Sequence, residues 1–210
     1  MYYYYKRSMA RFLVKIRYKI AAFMYDFLKE VWNKQIAYKA EEDLANFLRK
    51  NLGNDKTILE LGCGTGVNLE KIIALKGNFK SYIGVDFSRQ MLNIARKKFQ
   101  NYQNVEFRKE DITKLRTTKK FDVIICAWVL MHLDESFSFV NKIQQMLAGD
   151  GKFFIMIITK PKPSLHWFLT PLLKFIVGSP YIKEQEIQKF MNIKKISRYP
   201  TGVATILIQR

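Results

Sequence analysis

The chain contains only two histidines and two cysteines. Two cysteines exclude a disulfide scaffold. Cys63 and Cys126 lie in Gly-rich or apolar runs, which suits a reducing, cytoplasmic compartment. His132, His166, Cys63 and Cys126 are scattered without metal-ligand spacing, so no metal site is expected. Long hydrophobic runs are also missing: no stretch approaches the ~20 apolar residues that span a bilayer. Lys15, Arg17 and Lys19 interrupt any signal-peptide core. There is no internal repeat and no Gly/Ser linker. Acid is scarce, 18 Asp and Glu against 36 Lys and Arg, for a net +18. Against these absences, 49% of the 210 residues are hydrophobic, enough for one α/β domain with a true core.

The excess charge sits at the ends. Residues 1–19 carry +6 with no acid, residues 160–210 carry +7, and residues 20–159 only +5. A basic periphery suits a polyanionic partner, either anionic lipid or nucleic acid, although a lysine-rich proteome would give the same count. Residues 11–28 read as an amphipathic helix. Phe12, Leu13, Ile16, Ile20, Phe23, Met24 and Phe27 share a sector of about 120°, edged by Arg11, Lys15, Arg17 and Lys19. Residues 1–34 are therefore expected to form a basic helical cap on a domain spanning 35–210.

A second helix is expected over 35–51. From Thr57 the pattern alternates between strand and helix. Strands are predicted at Thr57–Leu61, Ser81–Asp86, Val105–Arg108, Phe121–Ala127 and Lys152–Ile158. Between them lie helices from Val67 to Leu75 with Gly77 as C-cap, after an N-cap at Ser88, and after an N-cap at Asp134. The last is expected to bury Phe137, Val140, Ile143 and Leu147. A helix near 184–191 precedes strands Ile193–Arg198 and Val203–Gln209, whose short connection requires an antiparallel hairpin. Repeated strand–helix units imply a parallel sheet with right-handed crossovers.

The strongest chemical signal is Glu60-Leu61-Gly62-Cys63-Gly64-Thr65-Gly66 between a strand and a helix. Glycines there allow close backbone approach to a ligand at the carboxyl end of the first strand. Asp86 ends the next strand, where a ribose diol would be held, and Glu110-Asp111 follow the third, where an adenine amino group could be met. A dinucleotide reading competes. It needs a third glycine where Val67 stands, and its pyrophosphate would be repelled by Glu60. A ligand with an ammonium end fits better.

ILELGCGTG at 58–66, YIGVDFS at 82–88, EDI at 110–112, FDVIICAWVLMHL at 121–133 and GDGKFFIM at 149–156 resemble the successive motifs of class I S-adenosylmethionine-dependent methyltransferases. The resemblance covers roughly 35–158, and 184–210 more loosely. The Tyr25-Asp26 lead-in and the His132 motif are similar to the ubiquinone/menaquinone-biosynthesis and related lipid methyltransferases. It implies a Rossmann-like seven-stranded sheet in the order 3-2-1-4-5-7-6 with one antiparallel strand. It also implies roles. Glu60, Gly62 and Gly64 would shape the methionine pocket, and Gly66 would permit the tight turn. Cys63 fills a variable loop position as packing rather than as a nucleophile. Asp86 would accept hydrogen bonds from the ribose hydroxyls, and Phe87 and Met91 would cover the adenine faces. Asp111 would accept the adenine amino hydrogen beside Ile112, and Ala127 and Trp128 would border the methionine chain and the methyl group. His132 is the candidate general base, with a loop-orienting or core role as its alternative.

Residues 159–183, broken by Pro161, Pro163, Pro171 and Pro180, follow the fifth strand and read as an apolar lid-like insertion. With the basic N-terminal helix they suggest docking on the inner membrane face to reach a small or lipid-like acceptor. Mutual core packing is the bland alternative. Two further readings stay open: a tRNA or rRNA methyltransferase using the basic ends, and a non-catalytic S-adenosylmethionine-binding partner subunit.

Overall fold

The computed structural model describes residues 36–160 and 181–210. The 11–28 helix, the 1–34 cap, His166 and most of the 159–183 insertion lie outside the described residues.

Helix α1 (Tyr38–Asn51) turns Ala40, Leu44, Phe47 and Leu48 inward at helical spacing. Arg49 and Lys50 in its last turn complement the carbonyl end of the helix dipole. It leads into β1 (Gly53–Leu61), α2 (Val67–Ala74), β2 (Phe79–Asp86), α3 (Arg89–Lys98), β3 (Val105–Lys109) and β4 (Phe121–Ala127). A 3-10 turn (Leu130–His132), α4 (Ser136–Gln144), β5 (Leu147–Ile158), α5 (Glu184–Ile187), β6 (Ile193–Arg198) and β7 (Val203–Gln209) complete the order.

The seven strands form one sheet, β3-β2-β1-β4-β5-β7-β6. Neighbours from β3 to β5 are parallel, while β7 runs antiparallel to both β5 and β6. The expected order and the single reversed strand are both present. β4 is apolar on both faces because helices cover both. Val123 and Ile125 pack with Leu44 and Leu48 of α1 and Leu69 and Ile72 of α2. Ile124 and Cys126 pack on the other side with Phe139, Val140 and Ile143 of α4.

Three local expectations are corrected. Gly77 is not the left-handed cap: Lys76 takes that conformation (φ 53°), and the Gly77 N–H donates to the Ile72 carbonyl at 2.9 Å. Gly77 is small for another reason, since a Cβ there would lie 2.5 Å from Leu52 Cδ1. Asp134 does not occupy the N-cap of α4. Residues 130–132 form the 3-10 turn, the helix starts at Ser136 after Glu135, and the Ser136 hydroxyl donates to the Leu130 carbonyl (3.0 Å). Phe137 is accordingly 38% exposed, with Lys189 over its ring, and Phe139 is buried instead. Leu147 is buried, but as the first residue of β5 rather than as part of α4, because it pairs with Phe121 at the sheet's amino edge and β5 begins there instead of at Lys152.

Gly84 sits opposite Glu60 in the β1–β2 register. A Cβ at 84 would stand 2.9 Å from Cys63 Sγ, 2.9 Å from Phe107 Cδ1 and 3.0 Å from Tyr82 Cε1. Gly84→Ala is therefore expected to destabilise the fold by about 1–3 kcal/mol through overpacking. Denaturant unfolding of the two proteins measures it; an unchanged midpoint would show that the three neighbours yield freely.

Candidate functional site

At the carboxyl end of β1 the chain turns through three glycines in the left-handed region, Gly62 (φ 71°), Gly64 (φ 54°) and Gly66 (φ 84°). Side chains rarely adopt these angles, and two positions are also sterically closed. A Cβ on Gly62 would meet Val129 Cγ2 at 2.3 Å, and one on Gly66 would meet Phe99 Cε2 at 2.5 Å. The end of β2 holds the turn in place. The Val85 carbonyl accepts from the N–H groups of Gly62 (2.7 Å) and Cys63 (3.1 Å). Asp86 Oδ2 accepts the Gly64 N–H at 3.0 Å, and Oδ1 accepts the Ser88 N–H at 2.8 Å. Ser88 then caps α3, its hydroxyl accepting from the Met91 N–H.

Asp86 is 7% exposed. Burial raises its carboxyl above the usual range, opposed by the backbone N–H groups of Ser88, Gly64 and Phe87. Glu60, 2% exposed, lies on the same sheet face. Its carboxylate accepts from Asn68 Nδ2 (2.8 Å) and from the Tyr82 hydroxyl (2.6 Å). Burial and the Glu60 charge keep the Tyr82 phenol well above its ordinary pKa, so it remains a donor. Tyr82 and Asn68 were not singled out from the sequence. Tyr82 lies within YIGVDFS, and Asn68 lies two residues past ILELGCGTG at the start of the predicted helix.

The other candidates take different environments. Phe87, just past β2, is 41% exposed, whereas Met91 is buried at 2% on the inner face of α3. Asp111 is exposed, and its Oδ1 accepts both the N–H (3.0 Å) and the hydroxyl (2.7 Å) of Thr113. Ile112 beside it is buried. The Glu110 N–H donates to the Asp86 carbonyl, tying the end of β3 to that of β2. Cys63 is buried beside Gly84, and Cys126 is buried with its thiol pushed well up by desolvation. Neither environment makes a nucleophile. Ala127 ends β4 and is buried. Trp128 follows at φ 63°, an unfavourable angle for a bulky residue, with its backbone N–H donating to the Met156 carbonyl. Trp128 and Tyr181 pack on Met131 and Ile158 beside the 3-10 turn that carries His132. Desolvation pushes the His132 pKa down to about 4, so its imidazole is neutral, and a weak base, at ordinary pH. Among the described residues no His, Cys, Asp and Glu group is placed to hold a metal, and no helix is long and apolar enough to cross a membrane. A surface groove bordered by Arg49, Asn54, Lys76 and Asn78 lies at the opposite, amino end of the sheet.

A sheet of this order with a reversed seventh strand, and a glycine turn flanked by acids on its first two strands, defines a class I S-adenosylmethionine-dependent methyltransferase fold. The chain belongs to the methyltransferase-domain family, which it matches over residues 52–193. It is 36% identical to the malonyl-[acyl-carrier protein] O-methyltransferase of Bacillus cereus over 65% of this chain and 46% of that protein. It is 27% identical to the ubiquinone biosynthesis O-methyltransferase of Glaesserella parasuis over 81% of this chain and 76% of that one. It therefore spans about half the length of the malonyl-[acyl-carrier protein] enzyme. Among solved structures, magnesium protoporphyrin IX methyltransferase from Synechocystis, with bound S-adenosylhomocysteine, superposes with TM-score 0.65 at 19% identity. That match covers 96% of this chain and 99% of the other.

The depressed His132 pKa has a consequence for stability. Between pH 6.5 and about 4 the unfolded chain binds a proton at this histidine and the folded chain does not, so stability rises with pH across that window and falls on acidification. The expected loss is on the order of 3 kcal/mol. His132→Gln should flatten this part of the stability–pH curve; equal slopes for both proteins would place the imidazole in a solvated setting.

Proposed function

We propose that this chain transfers a methyl group from S-adenosylmethionine to a small or lipid-like acceptor. The observation that carries the reading is the pair of buried acids, Glu60 and Asp86, on one sheet face around three left-handed glycines. Those two acceptors suit an ammonium and a ribose diol and would repel a pyrophosphate. When bound, S-adenosylmethionine supplies an already activated sulfonium methyl, so the protein's task is alignment more than proton removal. In this reading Gly62, Cys63, Gly64 and Gly66 present backbone at the methionine part, and Glu60 faces its ammonium. Asp86 takes the ribose hydroxyls. The exposed ring of Phe87 covers adenine while Met91 supports that wall from beneath. Asp111 and the Ile112 backbone meet the adenine edge. Ala127 and Trp128 border the methyl group. His132, neutral at ordinary pH, would accept a proton from the acceptor as that acceptor is methylated.

The names of the relatives point to oxygen acceptors on acyl-carrier or quinone-type molecules. The basic, amphipathic 11–28 sequence supports peripheral docking on an anionic membrane surface. Labelled-methyl transfer into cell extracts, separated into lipid, RNA and protein fractions, tests the acceptor. Label in the lipid or small-molecule fraction is expected. Label in RNA would favour the nucleic-acid reading, and cofactor binding without any labelled product would favour a non-catalytic subunit.

The cofactor assignment has its own test. Asp86→Ala should weaken S-adenosylmethionine binding by about 1.5–3 kcal/mol, the worth of hydrogen bonds to a charged group. Calorimetry on a folded variant with unchanged affinity would remove Asp86 from the site.

A further inference from the structure

Tyr82 is fully buried, and its hydroxyl reaches Glu60 across the β1–β2 pair. The reach depends on Gly84. In the register Glu60 lies opposite Gly84, two residues beyond Tyr82 on the same face of β2. With no side chain at 84, the Tyr82 ring leans along the strand over that position, its Cε1 3.0 Å from where a Cβ would stand. Phe107 braces the ring edge-on with centroids 6.0 Å apart, and Phe79 flanks it at 6.4 Å. The second Glu60 oxygen is held by the Asn68 amide. Lys71 contacts Asn68 Oδ1 at 3.5 Å, which turns the amide nitrogen toward Glu60, and Lys71 is itself ion-paired with Glu41 of α1. Both carboxylate oxygens are thus fixed by donors from two different elements before any ligand arrives. A buried carboxylate held this way cannot swing to follow a ligand, and its charge is aimed in one direction.

We propose that Tyr82 and Asn68 are positioning residues that act through Glu60 to select ligands carrying an ammonium group at the methionine end of the site. The proposal rests on the cofactor reading above. Neither residue need touch the ligand: their effect is to hold the Glu60 carboxylate oriented and fully accepting. A purely structural role would support the whole site equally. A positioning role affects only ligands that possess the ammonium.

Two probes separate these roles. S-adenosylhomocysteine carries the ammonium; 5′-methylthioadenosine has the same adenosine and a thioether but no amino-acid end. In calorimetric titrations Tyr82→Phe, which keeps the ring packing, should weaken S-adenosylhomocysteine about 5- to 20-fold and leave 5′-methylthioadenosine within about 2-fold. In a Glu60→Gln background the same substitution should add less than about 2-fold, because the group it positions is already neutral. Equal weakening of both ligands, no weakening of S-adenosylhomocysteine, or an undiminished effect in the Glu60→Gln background would overturn the proposal. Should Tyr82→Phe fail to fold, Asn68→Ala carries the same expected pattern and the same overturning results. If the unaltered protein binds neither probe, the cofactor reading falls and this proposal with it. If it binds both while the variants discriminate neither, only the proposal falls.

Discussion

A buried carboxylate is costly unless it is given hydrogen-bond donors, and the end of β2 is organised around that requirement. Asp86 accepts from Gly64 on the turn after β1 and from Ser88 at the start of α3. One side chain therefore ties a strand end, a glycine turn and a helix N-terminus together. The tie works only because Gly64 lies in the left-handed region, where its N–H can face β2. The donors do not fully offset the burial, since the carboxyl remains shifted upward. Further donors from a ligand would act in the same direction as those N–H groups. A site that binds hydroxyls would thus relieve a cost already present in the fold.

The β4 turn reinforces the same loop from the other side. Val129 fills the space that a Gly62 side chain would need, so the turns after β1 and β4 interlock. Trp128 reaches that turn through a left-handed conformation of the kind that costs on the order of 1–3 kcal/mol. The Trp128 N–H bond to Met156 and the β4–β5 pairing hold it there. Strain is thereby concentrated between the glycine loop and the 3-10 turn carrying His132.

Much of this was legible in the sequence because burial and period agree. Phe121–Ala127 is apolar at every position but Asp122, and the structure gives β4 those bounds. The closing strands also match their expected ranges, since a short turn admits only a hairpin. The glycines and the two strand-end acids announced themselves by residue type. The 134–147 region was misread because the apolar spacing there describes a longer helix than the nine residues Ser136–Gln144 that form. The 3-10 turn absorbs its start, and strand pairing with Phe121 captures its end. Tyr82 and Val129 lie inside motif segments and Asn68 just past one, but their roles were not legible because they exist only through register and packing. A tyrosine in a strand reads as core until Gly84 is known to lie beside it and Glu60 opposite.

The two halves of such a site are constrained very differently. The glycine turn, Glu60 and Asp86 are fixed by backbone bonds among adjacent strands of one continuous sheet, and a change at any one of them disturbs the others. The described positions just past β4, Trp128 and Val129, are held instead by one backbone bond to Met156 and by packing against Gly62. Relatives of this chain that align over about two thirds of its length carry acyl-carrier and ubiquinone acceptors in their names. Different acceptors named within similar proteins mean that the fold argues for the class of reaction and not for its substrate. Beyond β4, the 3-10 turn carries His132 next to Met131, which packs with Trp128, Tyr181 and Ile158, the last residue of β5. An aromatic and aliphatic group thus stands directly beside the one titratable side chain of that turn.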